Sequence, residues 1–243
     1  MCDGHRMRLI HPAILQIRAP AICFYALRDS RGLILIDGGF IGGPRLLSRA
    51  LRRSGWQDEP IQGIVVTHGH LDHILNVNYL AKKYHAWIAA PRLDADYYVG
   101  KAKYTGKTRI TGWLEAVGRP LLAFRRFTPD HWLADGDVLD VANGLTAVHL
   151  PGHTAGHMGF WWKQERLLFS GDLFVSYGSR AQFPLNILNA NPLQIRPSAL
   201  KALALKPAGI LPNHCDAAEP PVHVKRLEQL LERHTLAPHA GHS

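Results

Sequence analysis

Residues 67–73 read Thr67-His68-Gly69-His70-Leu71-Asp72-His73, and this stretch decides how the fold is interpreted. It follows the apolar, β-branched run 64–66 and precedes a segment with helical spacing, which predicts a turn between a buried strand and a helix. Catalytic and binding residues of α/β sheets gather at such strand ends. Three imidazoles and one carboxylate crowd into this turn, and together they suit zinc and similar cations. The alternative is a histidine-rich surface loop, which gives no reason for matching residues elsewhere in the chain.

Matching residues do recur downstream, each at the end of an apolar run. The later motifs are PGHTAGH at 151–157, SGD at 170–172 and PNH at 212–214. Each is therefore predicted to present a polar side chain where a strand ends. The early apolar run 33–36 likewise ends in an Asp37-Gly38-Gly39 turn.

In this order, the motifs between about Leu33 and His214 resemble those of the metallo-β-lactamase superfamily. The resemblance implies an α/β fold, a four-layer αββα sandwich with two sheets face to face and helices outside. It also implies two divalent metal ions. The first would be bound by His68, His70 and His153, the second by Asp72, His73 and His214, with Asp172 bridging both.

Further roles follow from the same resemblance. Asp37 would lie beneath the metals and orient the ligand loop, although a plain turn aspartate is the alternative. Asp72 would also take or relay a proton. Tyr177 is a candidate for assisting the opening of a lactone ring, with Tyr97, Tyr98 and Tyr104 as alternatives. His149, His157 and Cys215 are expected to support the site or pack beside it rather than bind metal.

The implied reaction is hydrolysis by a metal-bridging hydroxide. Two ions about 3.5–4 Å apart can lower the pKa of a shared water toward ~7. Zinc is the default metal by ligand type, and iron or manganese also suits a mixed set of imidazoles and carboxylates.

Aspartate at position 172, where the commonest zinc β-lactamases carry cysteine, favours a carboxylic ester, lactone or thioester as substrate, with only weak hydrolysis of β-lactams. The chain also has room for only one helix after His214, so the helical glutathione-binding domain of glyoxalase II is not expected. Two alternatives stay open. One is a phosphodiesterase, favoured by the positive charge, and the other is a mononuclear iron oxidoreductase resembling the persulfide dioxygenases.

Composition limits the class of protein and its partners. The 243 residues fit one domain, and 47% of them are hydrophobic. The net charge of +9 comes from basic residues spread along the chain, which favours an anionic small-molecule substrate over nucleic acid. No apolar stretch approaches the ~20 residues that span a bilayer, so no membrane partner is expected. No export signal is visible, and the three widely spaced cysteines favour a cytoplasmic protein. A homo-oligomer is compatible with these features.

Periodicity predicts the remaining elements. Residues 92–137 interrupt the strand rhythm with many aromatic residues. The resemblance to the metallo-β-lactamase superfamily implies that this insertion is a partly helical lid over the substrate pocket, and an extra hairpin whose aromatic residues only pack is the alternative. Residues 235–243 are expected to form a flexible tail. The predicted strands are 8–18, 21–27, 33–36, 86–90, 146–150, 158–162 and 166–169, and the predicted helices are 45–54, 74–84, 195–205 and 222–233.

Overall fold

The first layer of strands is a seven-stranded sheet. The computed structural model describes residues 7–19 and 22–236, and the strands of this sheet lie side by side in chain order. The first three pairs are antiparallel and the last three are parallel. The strands are β1 (Met7–His11), β2 (Ile14–Ala19), β3 (Ile22–Asp29), β4 (Gly32–Ile36), β5 (Ile61–Val65), β6 (Trp87–Pro91) and β7 (His131–Leu133).

The second layer is a five-stranded sheet with the order β14-β11-β10-β9-β8. Its strands are β8 (Val138–Leu139), β9 (Leu145–His149), β10 (Met158–Trp162), β11 (Leu167–Gly171) and β14 (Gly209–Pro212). Strands β11 and β14 run parallel. A small hairpin, β12 (Val175–Tyr177) and β13 (Arg180–Gln182), leaves the sheet after β11.

Helices form the outer layers and part of the predicted lid. They are α1 (Gly43–Ser54), α2 (Leu71–Ile74), α3 (Val77–Tyr84), α4 (Ala95–Tyr98), α5 (Arg109–Leu121), α6 (Pro192–Ala204) and α7 (Pro220–Leu236). Helix α1 ends where predicted, because Gly55 takes the left-handed conformation (φ 74°) that stops a helix.

Three apolar layers separate the sheets and helices. Alternation along β4 shows the pattern: Leu33 and Leu35 pack outward against α1 and α3, whereas Ile34 and Ile36 face the second sheet. On the far side of the second sheet, Leu168 packs against α6 and α7. The predicted four-layer αββα sandwich is therefore confirmed.

The topology places many strand ends at one edge of the sandwich. The parallel strands β4, β5 and β6 are followed by Asp37, the 67–73 turn and Asp94, respectively. In the second sheet, β9, β11 and β14 are followed by the motifs that contain His153, Asp172 and His214. Because the carboxyl ends of parallel neighbours meet at the same edge, the fold gathers these side chains.

Two elements differ from their predictions. Residues 8–18 form a hairpin rather than one strand, because the chain turns at Pro12 and Ala13 between β1 and β2. The helix predicted over 74–84 is broken between α2 and α3. At the break, the Asn76 amide donates to the carbonyl oxygens of Gly38, Gly39 and Phe40 at 2.8–3.1 Å and so fixes the turn after β4.

The predicted lid is partly helical, but its end, His131–Leu133, is strand β7 of the first sheet. Of the predicted tail, only the two residues that end α7 are described, and 237–243 lie outside the described residues, as does Cys2. None of the described helices is long and apolar enough to cross a membrane.

Candidate metal centre

The predicted ligands meet in two adjoining groups. The ligand atoms of each group lie within 4.8 Å of one another. The first group is His68, His70 and His153, and the second is Asp72, His73, Asp172 and His214. Metal binding by these residues remains a prediction, but their division into two groups is the one that the resemblance implies.

Asp172 lies between the two groups. Its Oδ2 atom is 3.4 Å from His153 Nε2 and 3.9 Å from His68 Nε2, both in the first group. The same oxygen is 3.0 Å from His214 Nε2, and Oδ1 is 3.3 Å from His73 Nε2. This carboxylate therefore lies close to imidazoles of both groups.

Several buried polar atoms at the centre have no hydrogen-bond partner among the described residues. They include His68 Nε2, His73 Nε2 and Asp172 Oδ1. Buried polar groups are normally paired, and leaving one unpaired costs about 1–3 kcal/mol. Because these atoms converge and their imidazole and carboxylate chemistry suits zinc, the residues fit a pair of divalent ions.

Hydrogen bonds outside the centre orient three of the imidazoles. His73 donates from Nδ1 to Asp37 Oδ2 at 2.8 Å, His153 donates from Nδ1 to Asn189 Oδ1 at 3.0 Å, and His68 Nδ1 lies 3.0 Å from the Thr67 hydroxyl. Each bond leaves the Nε2 atom facing the centre. Such partners fix the tautomer and the ring orientation of metal-binding histidines.

Asp37 joins several parts of the centre. It also accepts bonds from the backbone and hydroxyl of Thr67 and from the Asn213 amide, at 2.7–2.8 Å. The residue is fully buried with φ 67°, a left-handed conformation that only a few non-glycine residues adopt. This arrangement suits the orienting role predicted for Asp37.

Asp94 is a structural residue of the centre that the motifs did not predict. Its buried carboxylate accepts from Gly69 N at 2.9 Å, Gly156 N at 2.8 Å and the Thr154 hydroxyl at 2.6 Å. It therefore ties the 67–73 turn to the loop that carries His153. Burial raises the pKa of Asp94 despite these three donors.

His157 and Cys215 lie beside the centre and face other partners. His157 donates from Nδ1 to Leu150 O and accepts the Asp172 N–H at Nε2, both at 2.9 Å, so it supports the bridging residue. Burial, together with neighbouring His153, lowers the pKa of His157 to about 3 and keeps it neutral. Cys215 is buried between the sheets with its Sγ 3.9 Å from Cys23 Sγ, while adjacent His214 reaches Asp172.

Electrostatics at the centre favour cations. Burial acts to raise the pKa of Asp172, but the imidazoles of His214 and His73 outweigh it and hold that pKa well below its usual range. Burial likewise acts to lower the pKa of His214, but Asp172 and Asp72 outweigh it and raise the pKa to about 11. The carboxylates thus attract positive charge to the place where the ligand atoms converge.

A cavity of about 340 Å³ opens onto the centre. His70, Asp72, His153, Asp172 and His214 line one end of it. The rest of the wall is mostly apolar and is formed by Phe40, Leu71, Thr111, Leu114, Glu115, Gly118, Leu122 and Leu188. Several of these residues belong to α5 and its end, which lie within the segment predicted as a lid.

Polar bonds hold α5 over the cavity. Glu115 accepts the Leu71 N–H, at the start of α2, at 3.1 Å and also pairs with Arg119 at 2.6 Å. Thr111 donates its hydroxyl to Ile187 O at 2.6 Å. The 67–73 turn and the lid helix are thus joined directly.

The candidate tyrosines occupy different places. Tyr177, on β12, is half-exposed and is not among the residues that line the cavity, so its role in ring opening stays a prediction. The Tyr97 ring lies 5.8 Å from the His70 ring and packs against Gly69, where a side chain at position 69 would collide with it. Tyr98 is buried and donates to Pro91 O, and Tyr104 packs against Tyr97.

Comparison with protein families gives a match over most of the chain. The model of the metallo-beta-lactamase superfamily matches residues 23–214. A hydroxyacylglutathione hydrolase (GloC) of Haemophilus influenzae is 26% identical over 165 residues, which are 67% of this chain and 71% of that protein. A hydroxyacylglutathione hydrolase of Bartonella quintana is 30% identical over 69% of this chain, but the match spans only 58% of that relative.

Solved structures share the fold at low sequence identity. A metallo-beta-lactamase family protein from Thermus thermophilus superposes with a TM-score of 0.71 at 20% identity, over 93% of this chain and 81% of that one. BJP-1, a subclass B3 metallo-beta-lactamase of Bradyrhizobium japonicum, gives a TM-score of 0.66 at 22% identity, over 95% of this chain and 92% of that one.

Proposed function

Because the chain belongs to the metallo-beta-lactamase superfamily, we propose that it is a hydrolase that uses two divalent metal ions to cleave a carboxylic ester, a thioester or a lactone. The position of Asp172 carries this proposal. Its carboxylate is 3.0–3.9 Å from imidazoles of both ligand groups, and within the described part of the chain its buried Oδ1 atom has no hydrogen-bond partner.

The residues divide the work of binding and proton transfer. One ion would be held by His68, His70 and His153. The other would be held by Asp72, His73 and His214, and Asp172 would bind both ions. When bound, the ions would supply a water of lowered pKa as nucleophile and polarise the scissile carbonyl. Asp72 lines the cavity, and its Oδ2 is 3.4 Å from His214 Nε2. We assign it the transfer of a proton to the leaving group.

The cavity favours an apolar acyl group. Phe40, Leu71, Leu114, Leu122 and Leu188 would surround the part of the substrate next to the centre. Burial of apolar surface contributes about 25 cal/mol per Å², so such walls select apolar groups over charged ones. Relatives named hydroxyacylglutathione hydrolase support cleavage of an acyl compound. The apolar wall, however, does not favour the charged glutathione as the leaving group of that compound.

Zinc is the proposed metal because imidazole and carboxylate ligands suit it. Iron is the alternative, since a neighbour of 22% identity was solved in a di-iron-bound form. Iron is also the metal that the alternative function, a mononuclear iron oxidoreductase, would require.

The test is a pH-stat assay of acid release by zinc-loaded protein on thioesters, lactones, simple esters and β-lactams with apolar acyl groups. Wild type should release acid, and Asp172→Asn, which keeps the size of the side chain but loses the bridging charge, should not. The exposed Asp96→Asn variant is the control and should match wild type. The proposal would be refuted if wild type released no acid from any of the four substrate classes and instead hydrolysed a phosphodiester, or consumed oxygen when loaded with iron.

A further inference from the structure

The lid helix α5 is apolar on its exposed side and polar on its buried side. Thr111 and Glu115 are buried on the inner side and bond to the rest of the protein. The outer side carries five apolar residues that are 42–77% exposed: Ile110, Trp113, Leu114, Val117 and Leu121. We call these five residues the apolar ridge. With 100° between successive helix residues, they fall within about 100° of one another around the helix axis.

An exposed apolar stripe of this kind marks a surface that something else covers. The core does not need it, because α5 is already held by the bonds of Thr111 and Glu115 and by packing of Gly112 against Tyr104. Leu185 is also 62% exposed and lies two residues along the chain from Ile187, whose carbonyl oxygen accepts the Thr111 hydroxyl.

The charge around the ridge identifies what covers it. Residues 100–129 contain seven basic residues and one acidic residue, Glu115, which is buried and paired with Arg119. Arg109 precedes Ile110 on one flank of the helix. Gly100, Ala102 and Tyr104, which alternate with Lys101 and Lys103 along the chain, border the same surface hollow as Arg109 and Gly112. A helix with apolar and tryptophan side chains on one face and cations beside them is typical of proteins that lie on anionic lipid surfaces.

We propose that the apolar ridge and its flanking cations dock on an anionic lipid surface. Trp113 and Leu121 would enter the boundary between headgroups and acyl chains, and Lys103 and Arg109 would contact lipid phosphates or carboxylates. The expectation of no membrane partner came from the lack of a spanning segment and does not bear on attachment at the surface.

The other flank of α5 faces the cavity. Leu114 belongs both to the ridge and to the cavity wall, so a docked surface would adjoin the cavity. An acyl compound dissolved in the lipid would then reach the metal centre without crossing water. This consequence rests on the proposed hydrolase function, whereas docking itself does not.

Vesicle pelleting tests docking without any turnover. The full chain is mixed with sucrose-loaded vesicles of phosphatidylcholine alone, or of phosphatidylcholine and phosphatidylserine in equal parts. Binding to the mixed vesicles, weaker binding to phosphatidylcholine and loss of binding at high salt are expected. The Trp113→Ser/Leu121→Ser variant should bind roughly tenfold more weakly or worse.

Matched variants distinguish the contribution of the ridge to vesicle binding from general effects of surface leucines and of net charge. Leu9→Ser/Leu200→Ser changes two exposed leucines elsewhere and should bind as wild type does. The Lys103→Glu/Arg109→Glu variant should no longer bind the mixed vesicles. The Lys163→Glu/Lys225→Glu variant has the same net charge, but its binding should decrease less. Circular dichroism and the melting temperature check that each variant folds.

Failure of the wild-type chain to pellet with the mixed vesicles would overturn the proposal, as would equal binding by the ridge variant. A dimer in sedimentation that Trp113→Ser disperses would show that a second copy covers the ridge, and would also overturn it. None of these results depends on acid release, so the two proposals can fail separately.

Discussion

At the scale of single residues, side chains outside the predicted ligand set orient the imidazoles. Thr67, Asp37 and Asn189 each contact the ring nitrogen that faces away from the centre. Sequence motifs predicted Asp37 but not Asn189, because Asn189 lies far along the chain from His153 in a segment without a recognisable pattern. Only the fold brings the two together.

Replacing Asn189 with alanine should weaken binding of the first metal ion. The change removes the acceptor that holds His153 Nδ1–H, and loss of such a partner lowers metal affinity about 10–100-fold. Competition with a chromophoric zinc chelator measures the affinity. Asn186→Ala, at an exposed position three residues earlier, is the control. Unchanged affinity in Asn189→Ala would show that His153 needs no partner.

Replacing Asp94 with alanine should destabilise the protein. The change leaves the N–H groups of Gly69 and Gly156 and the Thr154 hydroxyl buried without their acceptor, at a cost of about 2–4 kcal/mol. Urea unfolding measures the free energy, with the exposed Asp96→Ala as control. A difference between these two variants below about 0.5 kcal/mol would argue against the role assigned to Asp94.

At the scale of elements, most strands and helices could be predicted because each has a clear period and a clear stop. Alternation and apolar runs located β3, β4 and β9 to β11, and Gly55 located the end of α1. One error, in the helix predicted over 74–84, arose where a side chain makes a long-range contact. Asn76 breaks the helix to bond residues 38–40, a contact that no local pattern records.

The lid helix was predicted only as a partly helical insertion, and its polar inner face could not be foreseen. Periodicity places apolar residues inward, but α5 turns Thr111 and Glu115 inward because both bond to backbone groups of neighbouring elements. The apolar face of α5 is therefore exposed to solvent. A helix that contradicts the usual pattern indicates either a partner surface or a substrate channel.

Glu115→Ala should loosen α5. Loss of the carboxylate leaves the Leu71 N–H without its acceptor and removes the ion pair with Arg119, so local opening of the lid should become easier. Limited trypsin digestion reports this opening, because the surrounding segment is rich in lysine and arginine, and cleavage between residues 101 and 126 should be roughly tenfold faster. The exposed Glu228→Ala on α7 should be cleaved at the wild-type rate. Equal rates for both variants would mean that apolar packing alone holds the helix.

At the scale of the whole molecule, the centre joins the two sheets. His68, His70, Asp72 and His73 follow the first sheet's β5, whereas His153, Asp172 and His214 follow strands of the second. The order of the motifs predicted this fold through its resemblance to the metallo-β-lactamase superfamily. The chemistry of the cavity was not predictable, because its wall combines the turn after β4, helix α5 and the segment before α6.

The central claim is that two metal ions, bridged by Asp172, act together. Its most direct test is a stepwise zinc titration of metal-free protein with the rate of hydrolysis of an apolar thioester measured at each step. Two candidate ligand groups, with Asp172 close to imidazoles of both, predict that the rate stops rising at two zinc ions per chain. Full activity at one ion per chain, or no hydrolysis with both ions bound, would contradict the claim.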